Sequence, residues 1–228
     1  MIRDVDVVVF DVLGTLVDEP GGLGAEIRAA APESGGELLA LWQQHVETEQ
    51  QRIARGHRAY ANSEVIDAEA ARRVADRAGL TDPAAIARLA TAGQRLPAWD
   101  DSAAGLARLA ERFPLVGLSN ASRAALLRLN AHAGLRWHQA LSAEAVRAYK
   151  PAPEVYRLAI DTAGCPPERV LMVAAHAWDL RGAQACGMRT AYVHRPGGDP
   201  PTGSDTFDWQ FDGLAELSYQ ATGSSRTE

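Results

Sequence analysis

The stretch that decides the fold is Val5-Asp-Val-Val-Val-Phe-Asp-Val-Leu-Gly-Thr15, close to the start of the chain. Val5 to Phe10 is a compact run of β-branched and aromatic residues, which predicts a strand covered on both faces, as in a parallel sheet. The run ends at Asp11, and Gly14 permits a sharp change of backbone direction just beyond it. An aspartate in this position is either a turn residue that hydrogen-bonds locally or a functional carboxylate at a strand end.

Hydrophobic spacing divides the rest of the chain into two parts. From residue 23 to residue 96, apolar residues recur at helical spacing without a strand pattern, which predicts an all-helical insertion. After Pro97, strand and helix patterns alternate, which is typical of a parallel α/β sheet. We therefore predict an α/β protein with a Rossmann-like, doubly wound parallel sheet built from residues 1–17 and 97–220, and an inserted helical cap of residues 18–96. Within it, the stretch from Asp18 to Gly22 is interpreted as a linker or hinge, and the polar tail 221–228 is predicted to be disordered.

Polar side chains follow the predicted strands at the ends where ligands bind in open sheets of this kind. The further predicted strands are Leu115–Leu118, Gln139–Leu141, Val170–Val173, Thr190–Val193 and Trp209–Phe211. The polar groups near such ends are Asp11, Ser119 with Asn120, Lys150 and Asp179. Their convergence predicts a site at this edge of the sheet.

Composition excludes several classes of function. The formal net charge of −6, with no basic stripe to offset it, argues against a nucleic-acid partner. No stretch approaches the roughly 20 apolar residues of a membrane span, and the N-terminal apolar run is too short for a secretion signal. Cys165 and Cys186 lack metal-ligand spacing, and two lone thiols suit a reducing compartment. We therefore expect a cytoplasmic protein without nucleic-acid or membrane partners.

Four segments resemble the four motifs of the haloacid dehalogenase superfamily. They are Phe10-Asp-Val-Leu-Gly-Thr15, Leu118-Ser-Asn120, Lys150-Pro-Ala-Pro-Glu-Val-Tyr156 and Ala177-Trp-Asp179. The stretch Trp178-Asp-Leu-Arg-Gly-Ala183, with Gly187-Met-Arg-Thr190, is particularly similar to the L-2-haloacid dehalogenases. The resemblance covers nearly the whole chain, including the helical segment after the first motif.

The resemblance implies catalytic roles for residues of these motifs. Asp11 would be a covalent nucleophile, which divides one hard displacement into two easier steps. Lys150 would favour the ionised form of Asp11 by direct charge attraction. Thr15 would donate a hydrogen bond near the nucleophile, and Asp179 would orient Lys150 and the hydrolytic water.

Substrate-binding roles follow from the same resemblance. Ser119 and Asn120 offer hydrogen-bond donors suited to a substrate carboxylate, a phosphate or a departing anion. They could equally cap the helix predicted from Ser122 to Ala133. Trp178 and Tyr156 match positions that line the dehalogenase site, although a tryptophan also packs readily in a core.

Leu13 decides between the two main reactions of the superfamily. Most members transfer phosphate with Mg²⁺ and a second aspartate two residues after the nucleophile, the position that Leu13 holds here. A leucine cannot exchange a proton with a leaving group or with water. Mg²⁺ also prefers several oxygen ligands, whereas Ala174-Ala-His-Ala-Trp-Asp179 offers one acid. A halide leaves without protonation. We therefore predict hydrolysis of a short 2-haloacid through an Asp11 ester, giving a 2-hydroxy acid and halide without metal or cofactor.

Three positions depart from the dehalogenase pattern. Leu13 replaces an aromatic residue. Gln43, which follows Trp42, replaces an arginine that serves the halide, so a full charge is lost there. His176, in Ala174-Ala-His176, stands where relatives have Ser-Ser-Asn, and it is either a substrate or water-site residue or a structural histidine.

Two other functions stay open at this point. One is a Mg²⁺-dependent phosphatase with an unusual acid, and the other is a protein of this fold that binds a small anion without turnover. The resemblance also implies a small-molecule haloacid as substrate and allows a homodimer, which relatives often form.

Overall fold

A computed structural model describes residues 2, 4–32 and 35–223. The strands are β1 (Val7–Asp11), β2 (Leu115–Ser119), β3 (Gln139–Ser142), β4 (Val170–Ala174), β5 (Arg189–Val193) and β6 (Trp209–Phe211). They form one parallel sheet in the order β3-β2-β1-β4-β5-β6. The chain reverses its winding direction between β1 and β4, which is the switch point of a doubly wound sheet. The predicted α/β fold is confirmed.

Helices lie before, between and after these strands. Five of them lie between β1 and β2, and the first four of these are named the cap helices: α1 (Glu19–Ala30), α2 (Gly35–Ala54), α3 (Ser63–Ala78) and α4 (Pro83–Ala90). The others are α5 (Ser102–Ala110), α6 (Arg123–His132), α7 (Pro153–Ala163), α8 (Ala177–Ala185) and α9 (Leu214–Thr222). Short 3₁₀ turns occur at Ala92–Gln94, Ala143–Val146 and Pro167–Arg169. Among the described residues, no helix combines the length and the apolar character that a membrane crossing would need.

The central strand β1 is buried on both faces because successive side chains point to opposite sides of the sheet. Val8 and Phe10 pack into one apolar cluster with residues of α5, α6 and α9, while Val7 and Val9 pack into a second cluster with residues of α7 and α8. The first cluster also contains side chains of the cap helices, among them Trp42. The division of the chain at residues 17/18 and 96/97 into two domains stays a prediction.

The predicted linker from Asp18 to Gly22 is wrong, because this segment begins α1. Asp18 is the N-cap, and its Oδ1 accepts a hydrogen bond from Gly21 N at 2.9 Å. Pro20 lies in the first turn, where a missing N–H costs nothing. A Cβ on Gly22 would lie 2.8 Å from Leu96 Cδ2, so the glycine allows close packing rather than flexibility.

The start of the predicted disordered tail is also corrected. Ala221 and Thr222 belong to α9, and Ala221 is buried. Its carbonyl accepts a hydrogen bond from Arg112 Nη1 at 2.7 Å, which ties the end of the helix to the rest of the protein. The rest of the predicted tail, residues 224–228, falls outside the described residues.

Replacing the cap of α1 should destabilise the protein measurably. Asp18→Ala removes the acceptor for Gly21 N, and loss of such a cap costs about 1 kcal/mol in the free energy of unfolding. Asp18→Asn keeps a side-chain oxygen and should stay near the wild-type value. Urea unfolding measures both variants, and an equal loss in the two would contradict a capping role for Asp18.

Candidate active site

The carboxyl ends of β1, β2 and β4 meet at one edge of the sheet, because β1 pairs with both neighbours. Asp11 is the last residue of β1 and stands beside Leu118 of β2. Ser119 ends β2, and Asp179 lies in the first turn of α8, just beyond β4. The predicted convergence of polar groups at this edge is present in the structure.

Asp11 is held from three directions. Its Oδ1 accepts a hydrogen bond from Lys150 Nζ at 2.9 Å, and its Oδ2 accepts one from Thr15 Oγ1 at 2.7 Å. His176 Nδ1 lies 3.3 Å from the same Oδ2. The side chain is 9% exposed, so a small molecule that enters the site can still reach it.

The contacts of Asp11 keep its carboxyl ionised. Burial works to raise the pKa of Asp11, but the Lys150 ammonium, His176 and the Thr15 hydroxyl together hold it well below its ordinary value. An ionised, positioned carboxylate is the form that can attack an electrophilic carbon.

Lys150 joins Asp11 to Asp179. Its Nζ donates to Asp179 Oδ2 at 2.7 Å as well as to Asp11, and its side chain is 1% exposed. Burial works to lower the pKa of Lys150, but the two carboxylates raise it overall, so the ammonium persists. One buried cation therefore serves both acids.

Tyr156 contacts Asp179, and its predicted place in the lining of the substrate site stays a prediction. The side chain is fully buried, and its hydroxyl donates to Asp179 Oδ1 at 2.6 Å. A Cβ on Gly182 would lie 2.5 Å from that hydroxyl, so a glycine is needed on α8 to admit the ring. Tyr156 thus fixes Asp179, which in turn fixes Lys150.

Ser119 is the last residue of β2, at the same edge of the sheet as Asp11, and its side chain is fully buried; Asn120 follows it. Ser119 Oγ accepts from Ala121 N at 3.1 Å, which leaves its own O–H to donate elsewhere. Asn120 Oδ1 accepts from Lys150 N at 2.9 Å, so the amide N–H groups are the part of the side chain that can serve a ligand. The helix cap itself is Ser122, whose Oγ accepts from Ala125 N.

The loop after β1 is anchored through its backbone carbonyls. Trp99 Nε1 donates to Gly14 O at 3.2 Å, Arg195 Nε donates to Thr15 O at 2.9 Å, and Ser102 Oγ donates to Leu16 O at 2.8 Å. Thr15 Oγ1 also accepts from Ala175 N at 3.0 Å. The hydroxyl that holds Asp11 is therefore fixed on several sides.

Arg195 is a residue that the sequence interpretation missed. It is buried, and its Nη2 donates to Asp101 Oδ1 at 2.7 Å while its Nε reaches the loop. Its position two residues after the end of β5 was the available signal, since strand ends of this sheet point to the site.

His176 packs tightly onto the same loop. A Cβ on Gly14 would lie 2.6 Å from His176 Cε1, and Gly14 has a φ of 77°, so both space and backbone conformation require glycine there. The Trp178 ring also lies near the imidazole, with ring centroids 5.8 Å apart and the planes tilted by 37°. Burial works to lower the pKa of His176, but Asp11, with Glu19 and Asp179, raises it overall.

The remaining predicted residues differ in their surroundings. Trp178 is 37% exposed, and Leu13 is half-buried beside Val17. Gln43 is exposed on α2, next to the buried Trp42. The hydrogen bonds of the described residues include none that joins the Gln43 side chain to Asp11 or its partners. The roles of Leu13, Gln43 and Trp178 stay predictions.

Two acids near this edge titrate far from their ordinary range. Burial raises the pKa of Glu19 to about 7, with His176 lowering it and Asp11 raising it. Burial, Glu19 and Glu64 raise the pKa of Asp67, on α3, to about 8. Both groups therefore tend to hold a proton in the folded protein at neutral pH.

The donor set does not suit a divalent metal. Mg²⁺ takes six ligands, mostly oxygens, at close range. Within the described ranges, no group of three or more His, Cys, Asp or Glu side chains could hold a metal ion. The facing oxygens of Asp11 and Asp179 are instead bridged by the Lys150 ammonium.

The chain matches known proteins over most of its length. Residues 5–187 match the family model of the haloacid dehalogenase-like hydrolases. The chain is 31% identical over 200 residues to the (S)-2-haloacid dehalogenase H-109 of Pseudomonas putida, with 86% of this chain and 88% of the relative covered.

Solved structures give the same result. The L-2-haloacid dehalogenase PA0810 superposes with a TM-score of 0.87 at 31% identity, covering 96% of this chain and all of the other. The L-2-haloacid dehalogenase of Xanthobacter autotrophicus with chloropropionic acid covalently bound gives a TM-score of 0.84 at 27% identity, covering 97% of this chain and all of the other.

Arg195→Lys should destabilise the protein although it keeps the charge. A single ammonium cannot reproduce the guanidinium fork that reaches both Thr15 O and Asp101, so a buried acceptor loses its partner. Such a loss costs about 1–3 kcal/mol in the free energy of unfolding. Arg189→Lys, at an exposed ion pair with Asp208, is the matched control and should change little. Urea unfolding that ranks the two variants equally would contradict the anchoring role.

The raised pKa values of Glu19 and Asp67 predict a pH-dependent stability. The folded protein binds these protons more tightly than the unfolded chain, so their stabilising contribution is complete below about pH 4 and is lost as pH rises through 7 and 8. Between pH 5 and pH 9, the free energy of unfolding should therefore fall by about 1–3 kcal/mol less in Asp67→Asn than in wild type. Asp76→Asn, at an exposed position of the same helix, is the control. Unfolding curves with the same pH slope in wild type and Asp67→Asn would contradict this assignment.

Proposed function

Because the chain belongs to the haloacid dehalogenase-like hydrolase family, we propose that it cleaves the carbon–halogen bond of a short 2-haloacid. The enzyme is a hydrolase acting on carbon–halide bonds. Asp11 forms an ester with C2 of the substrate as the halide departs, and water then hydrolyses the ester to a 2-hydroxy acid. The contact between Lys150 and Asp11 carries the proposal, since it supplies a buried, ionised and accessible carboxylate.

The first step is an in-line displacement at C2. The lone pair of one Asp11 oxygen forms the new C–O bond while the C–halogen bond breaks and the halide takes the electron pair. Attack from the side opposite the leaving halide inverts C2. Relatives are named (S)-2-haloacid dehalogenases, and an (S)-2-chloropropionate would therefore yield (R)-lactate here.

Substrate orientation comes from donors around the nucleophile. We propose that the Ser119 hydroxyl and the Asn120 amide donate to the substrate carboxylate, because their oxygens already accept from Ala121 N and Lys150 N and their O–H and N–H groups remain. Leu13, Trp178 and Gln43 are proposed to surround the halide. A largely apolar lining favours loss of a halide, which leaves without a proton.

Leu13 separates this reaction from phosphoryl transfer. A phosphatase of this fold would need an acid there to protonate the leaving alkoxide, whereas a halide has no such need. We propose that Asp179 and Tyr156 complete the machinery as positioning residues, because Asp179 holds Lys150 and Tyr156 holds Asp179. We propose that the reaction needs no metal and no organic cofactor.

A cytoplasmic location and a homodimer belong to the same proposal. Relatives of this family often form dimers, and sedimentation of the purified protein measures the assembly directly.

The central test is halide release by wild type and Asp11→Asn. Chloro-, bromo- and fluoroacetate and both 2-chloropropionate enantiomers are supplied with EDTA, beside a phosphate-ester panel with Mg²⁺. We expect EDTA-insensitive halide release by wild type and a loss of at least about 10³-fold in Asp11→Asn, because the nucleophile is removed.

Asp161→Asn, at an exposed position on α7, is the matched control and should keep full activity. Phosphate release that depends on Mg²⁺, without any halide release, would replace this proposal with a phosphatase. No turnover of either kind would favour a protein that binds a small anion.

A further inference from the structure

The Asp11 ester must be attacked by water, and that water must lose a proton. We propose that His176 is the catalytic base that takes this proton, a step that rests on the proposed function. The inference starts from the groups that surround Asp11 and from what each of them already does.

The other groups around Asp11 are unsuited to accept the proton of the attacking water. Lys150 is a cation held by two carboxylates, and Thr15 Oγ1 is a donor to Asp11 that also accepts from Ala175 N. Asp179 has no exposed surface, and its two oxygens accept from Lys150 and Tyr156. A water molecule at the ester carbonyl would therefore have no direct route to Asp179.

His176 both contacts Asp11 and is partly exposed. Its Nδ1 lies 3.3 Å from Asp11 Oδ2, and its side chain is 18% exposed, so the ring reaches from the reacting carboxyl towards the open side of the site. Gly14 lies against one part of the imidazole and Trp178 against another, so the ring is fixed over the nucleophile loop.

The charge of Asp11 controls the protonation of His176. In the resting enzyme the hydrogen bond and charge of Asp11 raise the pKa of His176 against the effect of burial, which favours the imidazolium. Ester formation neutralises Asp11 and removes both effects. Burial then favours the neutral imidazole, so the base becomes available at the step that needs it.

Two more acids act on the same ring. Glu19, from the start of α1, and Asp179, from α8, both raise the pKa of His176. Asp179 keeps its contact with Lys150 when Asp11 is esterified, whereas Glu19 loses the charge of Asp11 that helps to raise its own pKa. Both acids still raise the pKa of His176 and so offset part of its fall.

The protons balance over the cycle. When the halide leaves, the imidazolium releases its proton to solvent. Neutral His176 then takes a proton from water as the water oxygen bonds to the ester carbon of Asp11. The tetrahedral intermediate collapses, the C–O bond to the 2-hydroxy acid breaks, and the imidazolium protonates the departing alkoxide. The Asp11 acid that remains passes its proton to His176, which restores the starting pair.

The test separates the two steps by rapid quench with (S)-2-chloropropionate. We expect His176→Asn to release about one equivalent of halide per active site in a burst and then to turn over about 10²–10³-fold more slowly than wild type. Intact protein from the quenched reaction should carry the mass of one propionate unit, located on the peptide that contains Asp11. His176→Gln should behave in the same way.

The pH profile gives a second readout. In single turnovers, hydrolysis of the ester by wild type should slow as pH falls and His176 becomes protonated, and both variants should lack this limb. His194→Asn, the same substitution at an exposed histidine after β5, should match wild type throughout. The size of the burst counts the active sites that are correctly folded.

Three results would count against the inference, and they are distinguishable. Wild-type turnover by His176→Asn overturns it directly. A proportional loss of burst rate and turnover without any ester overturns it too, because His176 would then serve the first step. Wild type that releases no halide at all would instead overturn the proposed function and the inference with it.

Discussion

The Lys150 ammonium, shared between Asp11 and Asp179, is the interaction on which the rest of the site depends. Burying an unpaired charge is costly, so two buried carboxylates require compensating cations nearby. Lys150 contacts both of them, and in the proposed cycle a protonated His176 beside Asp11 supplies the second cation. When Asp11 becomes an ester, one negative charge disappears and His176 can lose one positive charge. In the proposed cycle, the summed charge of Asp11, Asp179, Lys150 and His176 therefore stays the same through both steps.

Long-range contacts keep this arrangement in place. Lys150 and Asp11 are 139 positions apart in sequence, and Arg195 reaches Thr15 over 180 positions. The parallel sheet makes this possible because its strands end at a common edge, whatever their order along the chain. Local segments then fix single groups, as Gly182 does by admitting Tyr156 next to Asp179. The geometry around Asp11 therefore depends on residues that contact it only through other side chains or the backbone.

Strand positions and the residues at their ends could be predicted from the sequence, because apolar periodicity and the order of motifs are local signals. The polar contacts of buried side chains could not. The resemblance places Tyr156 in the lining of the site, but it carries no information on which acid the Tyr156 hydroxyl contacts. Asp18 to Gly22 has the composition of a linker, yet packing of Gly22 against Leu96 makes it helical. The role of Arg195 could not be predicted, because its partners, Thr15 and Asp101, lie far away along the chain.

The departures from the dehalogenase pattern differ in what they change. Gln43 is exposed on α2, so the loss of an arginine there bears on how a leaving halide is stabilised and not on the charge balance around Asp11. His176 contacts the nucleophile itself and couples its own proton to the state of Asp11. That coupling suits a covalent cycle on carbon, in which the carboxylate loses its charge and later regains it. A group that holds a proton while Asp11 is charged, and releases it when Asp11 is esterified, links the two halves of the reaction through electrostatics alone.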